Sequence, residues 1–363
     1  MAQKSNTRSF RLPSHLDSWP YPRCLNPHFS EVDPESIQWL EGFDALSPRA
    51  QKVFNACNFN LLTSLSFPHL SRERLRVACD LMCMFFLYDE LTDHESEEGA
   101  AMIASIIMDT LKNPSAPRPR GESIMGEIVR QSWSRAVEAI RPEARERFIE
   151  AMSSHTEAMT QQAEDRSRNY LPMRSIQSYL EVRRHTMGAK PAFTFLAFDF
   201  DIPWHILDGP IIRDLETWAT DLLILSNVGY PLIVSATVHL TSLLAQDLYS
   251  YPKEHADGDD GHNIVAIAMH ELNVGLDGAI KWASDYQADL VKKFVSSIER
   301  LPSFGIDIDR QLEEYVRGIG SFVMGHDAWC FESERYFGKN GKSVQKHRRV
   351  TLLSPRRGRH GGN

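Results

Sequence analysis

Two acidic clusters, far apart in the chain, are spaced for metal chemistry. The first is Asp89-Glu90-Leu91-Thr92-Asp93, at the end of the apolar run LMCMFFLYDELTD. On a helix Asp89 and Asp93 share one face, with Glu90 beside them. Mg²⁺ takes oxygen ligands, keeps several waters and is held by one or two carboxylates plus substrate phosphate oxygens. An aspartate pair on one helical face suits that role, although a solvated acidic helix end has the same spacing. The second cluster begins at Asp247 and runs through Ser250 to Glu254. Ser250 and Glu254 share a helical face, and a hydroxyl with a carboxylate can complete a second Mg²⁺ site. Two such clusters on opposite walls can clamp one diphosphate.

Cationic groups suited to that anion occur twice. SYLEVRRHTMGAKPAF carries Arg183 and Arg184 just before Gly188, which interrupts a helical pattern. FESERYFG carries Arg335 and Tyr336 near the expected end of the last long helix. Planar guanidinium forks match diphosphate oxygens. Each element alone is weak, because a surface arginine pair is usually solvated.

The elements that must position these groups are helical. A helix is expected from Asp33 or Pro34 through SIQWLEGF, then over 47–66, 71–95, 99–113, 124–140, 142–168, 173–200, 208–227, 262–300 and 308–337. Breaks such as NPSAPRPRGES and LPSFGID are short, and there is no internal repeat or long linker. The expectation is one all-α bundle over 34–340, with residues 1–33 as a coil segment and 341–363 as a basic, frayed tail. The apolar, aromatic run Leu81 to Tyr88 marks its helix as central.

Composition narrows the function. The 363-residue chain is 42% hydrophobic, enough for a sizeable core, and its net charge of −8 argues against general nucleic-acid binding. Its five cysteines lack a CxxC pair; Cys79 and Cys83 read as core thiols. No apolar signal core opens the chain and no charge-free run reaches membrane-span length. A soluble, cytoplasmic protein is expected.

Taken in this order, DELTD, Asp247-x-x-Ser250-x-x-x-Glu254, Arg184, Gly188 and Arg335-Tyr336 resemble the class I terpene synthases, specifically the fungal, basidiomycete-like sesquiterpene synthases. The resemblance runs from about Phe10 to Leu353. It implies a single α-helical bundle around an apolar cavity. It also implies metal ligation by Asp89, with Glu90 and Asp93 in support, and by Ser250 and Glu254. Arg184 falls on the diphosphate sensor and Gly188 on the effector position at the helix break. Arg335 and Tyr336 fall on the diphosphate-binding pair. The implied substrate is farnesyl diphosphate, and the implied cofactor is Mg²⁺, about three ions with substrate bound.

One departure matters. The family's asparagine should directly precede Asp247, where Gln246 stands instead. Yet Ser226-Asn227 ends TWATDLLILSN as that helix should end. Removing Val228–Gln246 joins LLILSN to DLYSYPKE and puts Asn227, Ser250 and Glu254 at i, i+4 and i+8. The excised piece, VGYPLIVSATVHLTSLLAQ, has no Asp, Glu, Lys or Arg and is rich in β-branched residues. It is 19 residues long (246 − 228 + 1), so the reading frame survives its removal. Valine codons begin with GT and one glutamine codon ends in AG, as intron borders do. The segment therefore reads as a translated, retained intron; a genuine insertion, or Gln246 as a substitute ligand, are the other readings. Gly229 and Pro231 should break the ligand-bearing helix, so the chain as written is expected to be impaired.

The chemistry implied is ionisation of the diphosphate ester with metal and arginines neutralising the leaving group, then cyclisation of an allylic carbocation in a water-excluding pocket. Phe85, Phe86 and Trp329 are the candidate cavity linings, since aromatic faces stabilise positive charge; each could equally be core packing. A prenyl chain-elongating synthase would need a second DDxxD, which DGDDG around Asp257, Asp259 and Asp260 does not supply. A catalytically dead helical scaffold would show no Mg²⁺-dependent turnover.

Overall fold

A computed structural model describes residues 9–14, 16–92, 95–138, 140–167, 175–225 and 263–351. The described chain is all-α apart from one short strand pair. Its longer helices are α1 (Phe29–Glu41), α2 (Pro48–Cys57), α3 (Phe59–Ser66), α4 (Arg72–Thr92), α5 (Glu97–Lys112), α6 (Met125–Val137) and α7 (Pro142–Ser167). They continue with α8 (Ile176–Thr186), α9 (Ala189–Leu196), α10 (Trp204–Leu207) and α11 (Pro210–Leu225). After the undescribed stretch come α12 (Ile264–Glu271), α13 (Leu276–Ile298), α14 (Ile306–Glu332) and α15 (Gly341–His347).

Helix α4 is central, as its apolar circumference requires: it packs against α1, α3 and α6. On the far side α14 packs on α3, α9 and α11, and α5 is sandwiched by α6 and α7. The contact between α14 and α3 is close enough to need a glycine. A Cβ on Gly325 would fall 2.4 Å from the carbonyl carbon of Leu65. Large rings fill the remaining space; Trp133 stacks on Phe148 with centroids 4.6 Å apart, and its indole N–H donates to the Leu111 carbonyl.

Several expected helices are broken, each for a local reason. The run 47–66 divides at Asn58, which is left-handed (φ 51°, ψ 59°) and whose side chain accepts from the Leu61 N–H at 3.1 Å. Asparagine tolerates that conformation and caps the next helix. The carbonyls at that break, Cys57 and Asn58, accept from the Trp329 indole at 2.8 and 3.0 Å, and Asn58 accepts from the Leu61 N–H as well. The run 262–300 divides at Leu272–Gly275, where Asn273 is also left-handed. Helix α1 starts at Phe29, a turn before the expected Asp33 or Pro34. Buried Asn26 fixes that start: its amide donates to the Phe67 and Leu70 carbonyls, and its oxygen accepts from the His28 N–H.

The chain ends also differ from the expected coil and frayed tail. Ser9–Arg11 pairs antiparallel with Arg349–Thr351, Phe10 opposite Val350, and both of those side chains are buried. Alternation of Ser9 and Arg11 with apolar Phe10 is enough for a half-buried strand, but three residues are too few to see in a sequence. The segment 228–246, read as an insertion, lies outside the described residues.

Candidate active site

A cavity opens between the helices of the bundle, a usual place for a small-molecule site. Its walls come from α3 (Leu62), α4 (Met82, Phe85, Phe86, Asp89), α7 (His155, Met159), the α8–α9 break and α9 (Met187, Gly188, Ala189, Ala192), α11 (Leu223) and α14 (Phe322, His326). The α4 contribution follows from helical periodicity: residues 82, 85, 86 and 89 recur on one face. The lining is apolar except for Asp89 and the two imidazoles. Asp89 is only 2% exposed. Phe85 and Phe86 thus line the cavity, while Glu90, one position round the helix, acts electrostatically on the Cys57 thiol.

Gly188 sits at the break between α8 and α9 with φ 68° and ψ 10°, a left-handed conformation that suits glycine. The edge of the His155 ring faces it. A Cβ built on Gly188 would lie 3.6 Å from His155 Cε1 and 4.0 Å from Nε2. His155 Nδ1 lies 3.0 Å from the His185 carbonyl oxygen. Burial pushes the His155 imidazole down, against the lift from that carbonyl. Burial and the charge of Arg335 push His326 down to about 3. Both rings are therefore neutral near pH 7.

Arg335 and Tyr336 lie past α14, which ends at Glu332, rather than within it. The Arg335 guanidinium sits over the rings of Phe86 at 5.3 Å, Phe59 at 5.4 Å, Tyr336 at 5.6 Å and Trp329 at 6.0 Å. Its Nε donates to the Tyr336 hydroxyl at 3.3 Å and its Nη1 to the Cys57 sulfur at 3.7 Å. Burial pulls the guanidinium down, but Tyr336, Cys57 and Asp89 more than offset it, so the charge persists. Trp329 is fully buried and stands behind Phe86 rather than in the cavity wall. Their centroids are 6.1 Å apart, and the indole is anchored on α2 and Asn58.

Arg184 projects from α8 to Asp221 on α11, with Nε–Oδ1 and Nη2–Oδ2 both 2.7 Å. The Tyr286 hydroxyl on α13 donates to the same carboxylate at 2.8 Å. Arg184 is not part of the cavity lining in this structure. Its neighbour Arg183 is buried, with Nη1 donating to the Thr186 hydroxyl. Asp93, Asn227, Gln246, Asp247, Ser250 and Glu254 lie outside the described residues. Sequence reasoning missed His155, His326 and Asp221. A single acid in the apolar run ATDLLIL was a usable signal for Asp221; nothing marked the histidines.

The fold and this cavity match known proteins. A family model described as terpene synthase family 2, C-terminal metal binding, matches residues 80–293. The Δ(6)-protoilludene synthase of Armillaria gallica is 41% identical over 342 residues, covering 94% of this chain and 93% of that protein. Sesquiterpene synthase 14 of Postia placenta is 39% identical over 342 residues, covering 94% and 92%. Among solved structures, germacradien-4-ol synthase from Streptomyces citricolor superposes with a TM-score of 0.71 at 20% identity, covering 87% of this chain and 97% of that one. The chain belongs to the terpene synthase family, with its metal-binding domain and all-α fold. Within it, this is a sesquiterpene synthase, a terpene cyclase like its basidiomycete relatives. Among the described residues, no helix is long and apolar enough to cross a membrane.

Proposed function

We propose that this cyclase ionises farnesyl diphosphate with the aid of Mg²⁺, cyclises the resulting carbocation in the cavity and releases diphosphate. Its product is a sesquiterpene hydrocarbon, and the protoilludene skeleton made by several relatives is the first to look for. The observation that carries this reading is the buried Asp89 carboxylate at the wall of a mostly apolar, aromatic-lined cavity. A carboxylate is the right donor for a hard cation that takes oxygen ligands and completes its shell with phosphate oxygens and water. Asp89, with Glu90, Asp93, Asn227, Ser250 and Glu254, would hold the ions. Bound there, Mg²⁺ supplies Lewis-acid neutralisation of the leaving group.

The protein groups do the rest. Arg335, its charge retained beside the Tyr336 hydroxyl, offers charge-assisted hydrogen bonds to diphosphate oxygens. Arg184 offers a second fork, positioned by Asp221 and Tyr286. Gly188 turns the backbone four residues after Arg184, at the α8–α9 break. Phe85 and Phe86 supply aromatic surface at the wall for migrating positive charge, and the apolar lining excludes water. Residues 228–246 separate Asn227 from Asp247, Ser250 and Glu254, and their removal restores ligand spacing on one helical face.

The test incubates the full chain and a form lacking 228–246 with farnesyl diphosphate and Mg²⁺, followed by gas chromatography–mass spectrometry. A cyclic sesquiterpene that disappears with chelator is the expected result, with the larger yield from the deletion. Two folded proteins that both fail to release diphosphate would overturn the reading. Equal turnover by both forms would show that the insertion is tolerated, with Gln246 or a looped Asn227 serving the metal in the full chain.

A further inference from the structure

A hydrocarbon product requires a final proton acceptor beside the last carbocation, and the structure contains one whose protonation state is dictated by geometry. The His185 carbonyl oxygen, 3.0 Å from His155 Nδ1, can only accept a hydrogen bond. Nδ1 therefore carries the proton of the neutral ring, and Nε2 keeps its lone pair. Nε2 and Cε1 form the ring edge turned toward Gly188, and both His155 and Gly188 line the cavity. The ring is held in that orientation by edge contacts with Phe85 and Tyr88, at 5.8 and 6.0 Å between centroids.

We propose that His155 Nε2 is the base that ends the carbocation cascade, an assignment that rests on the cyclase reading above. The C–H bond on the carbon next to the cationic centre breaks. Its electron pair becomes the new C=C bond, and the proton joins the Nε2 lone pair to give an imidazolium. The imidazolium then returns its proton to the departing diphosphate, restoring the neutral ring.

Two features favour His155 over the other polar groups described in the wall. His326 meets the positive charge of Arg335 on top of burial, which opposes its taking up a proton. Asp89 stands where the metal is expected. Burial lowers the basicity of His155 as well, but its bond to the His185 carbonyl partly restores it. A carbocation's neighbouring C–H is acidic enough that even a weakened imidazole takes its proton. The same burial keeps the ring from being protonated beforehand, when it would repel the cation.

The test compares His155→Gln and His155→Phe with the parent enzyme, measuring diphosphate release and product composition separately. Diphosphate release is expected to stay within about tenfold of the parent. The share of the parent hydrocarbon falls by at least about tenfold, replaced by earlier-deprotonated or water-quenched products, as loss of a general base implies. An unchanged product ratio in both variants overturns the proposal, whether or not the overall rate falls. If neither the parent nor its form lacking 228–246 releases diphosphate, the cyclase reading fails instead. The tautomer is then decided by ¹⁵N NMR of histidine-labelled protein, where a protonated Nε2 on His155 overturns the proposal independently of turnover.

Discussion

Arg184 grips Asp221 through both arms of its guanidinium, at 2.7 Å each. The carboxylate is 1% exposed and also accepts from Tyr286. Burial in that pair makes the arginine structural before it is functional. Arg184→Met leaves a buried carboxylate without its cation and should cost about 3–5 kcal/mol in denaturant unfolding. Arg184→Met combined with Asp221→Leu should recover most of that loss, because the two charges leave together. Turnover should stay low in both. Recovery of activity in the double variant would show that Arg184 has no role beyond the pair.

Gly188 offers a cleaner test of backbone strain. A Cβ there meets the His155 ring at 3.6 Å, an ordinary contact, so Gly188→Ala has room. Its cost comes from the left-handed φ of 68°, about 1–2 kcal/mol. Denaturant midpoints should register that loss, and turnover should fall as the α8–α9 turn shifts. A fully stable variant would mean that the turn readily adopts another conformation.

Trp329→Phe keeps the ring but removes the donor shared by the Cys57 and Asn58 carbonyls. The buried Cys57 carbonyl then loses its indole partner, for about 1–3 kcal/mol, while Asn58 keeps the Leu61 N–H. Because Trp329 also forms one wall of the cage around Arg335, diphosphate binding should weaken with stability. Substrate titrations of the variant check this.

Glu216 carries the pH prediction. Burial raises its carboxyl to about 7 from an ordinary 4.5, although the Tyr315 hydroxyl, donating at 2.6 Å, pulls the other way. The folded protein thus holds this proton over a range where the unfolded chain has lost it. Stability from this group is full below about 4.5 and declines as pH rises toward 7. Glu216→Gln should flatten that decline and be relatively more stable above pH 7. Urea midpoints between pH 5 and 8 measure it.

What the sequence made legible was periodic. The face shared by Met82, Phe85, Phe86 and Asp89 follows from helical spacing alone, and so does the central position of α4. Gly188 announced its helix break by residue type. The break at Asn58 was missed because nothing local distinguishes an asparagine that stops a helix from one on its surface. What decides is Trp329, 271 residues further on, whose indole donates to the carbonyls at the break. Trp329 itself read as cavity lining for the same reason: an indole's place depends on where its N–H finds a partner. His155 was invisible because its chemistry lies in a contact with a backbone carbonyl, which no side-chain pattern encodes.

The pairing of Ser9–Arg11 with Arg349–Thr351 makes the described chain a closed belt whose buckle is not part of the cavity lining. Arg335 and Tyr336 occupy the stretch of belt between α14 and that buckle. They are pinned upstream by the helix and downstream by α15 and the strand. Undoing the buckle, by trimming either strand, would leave that stretch tethered at one end only. The groups proposed here to meet a departing diphosphate would then have to be ordered anew with each substrate, so trimming the strands should register first as weaker substrate capture.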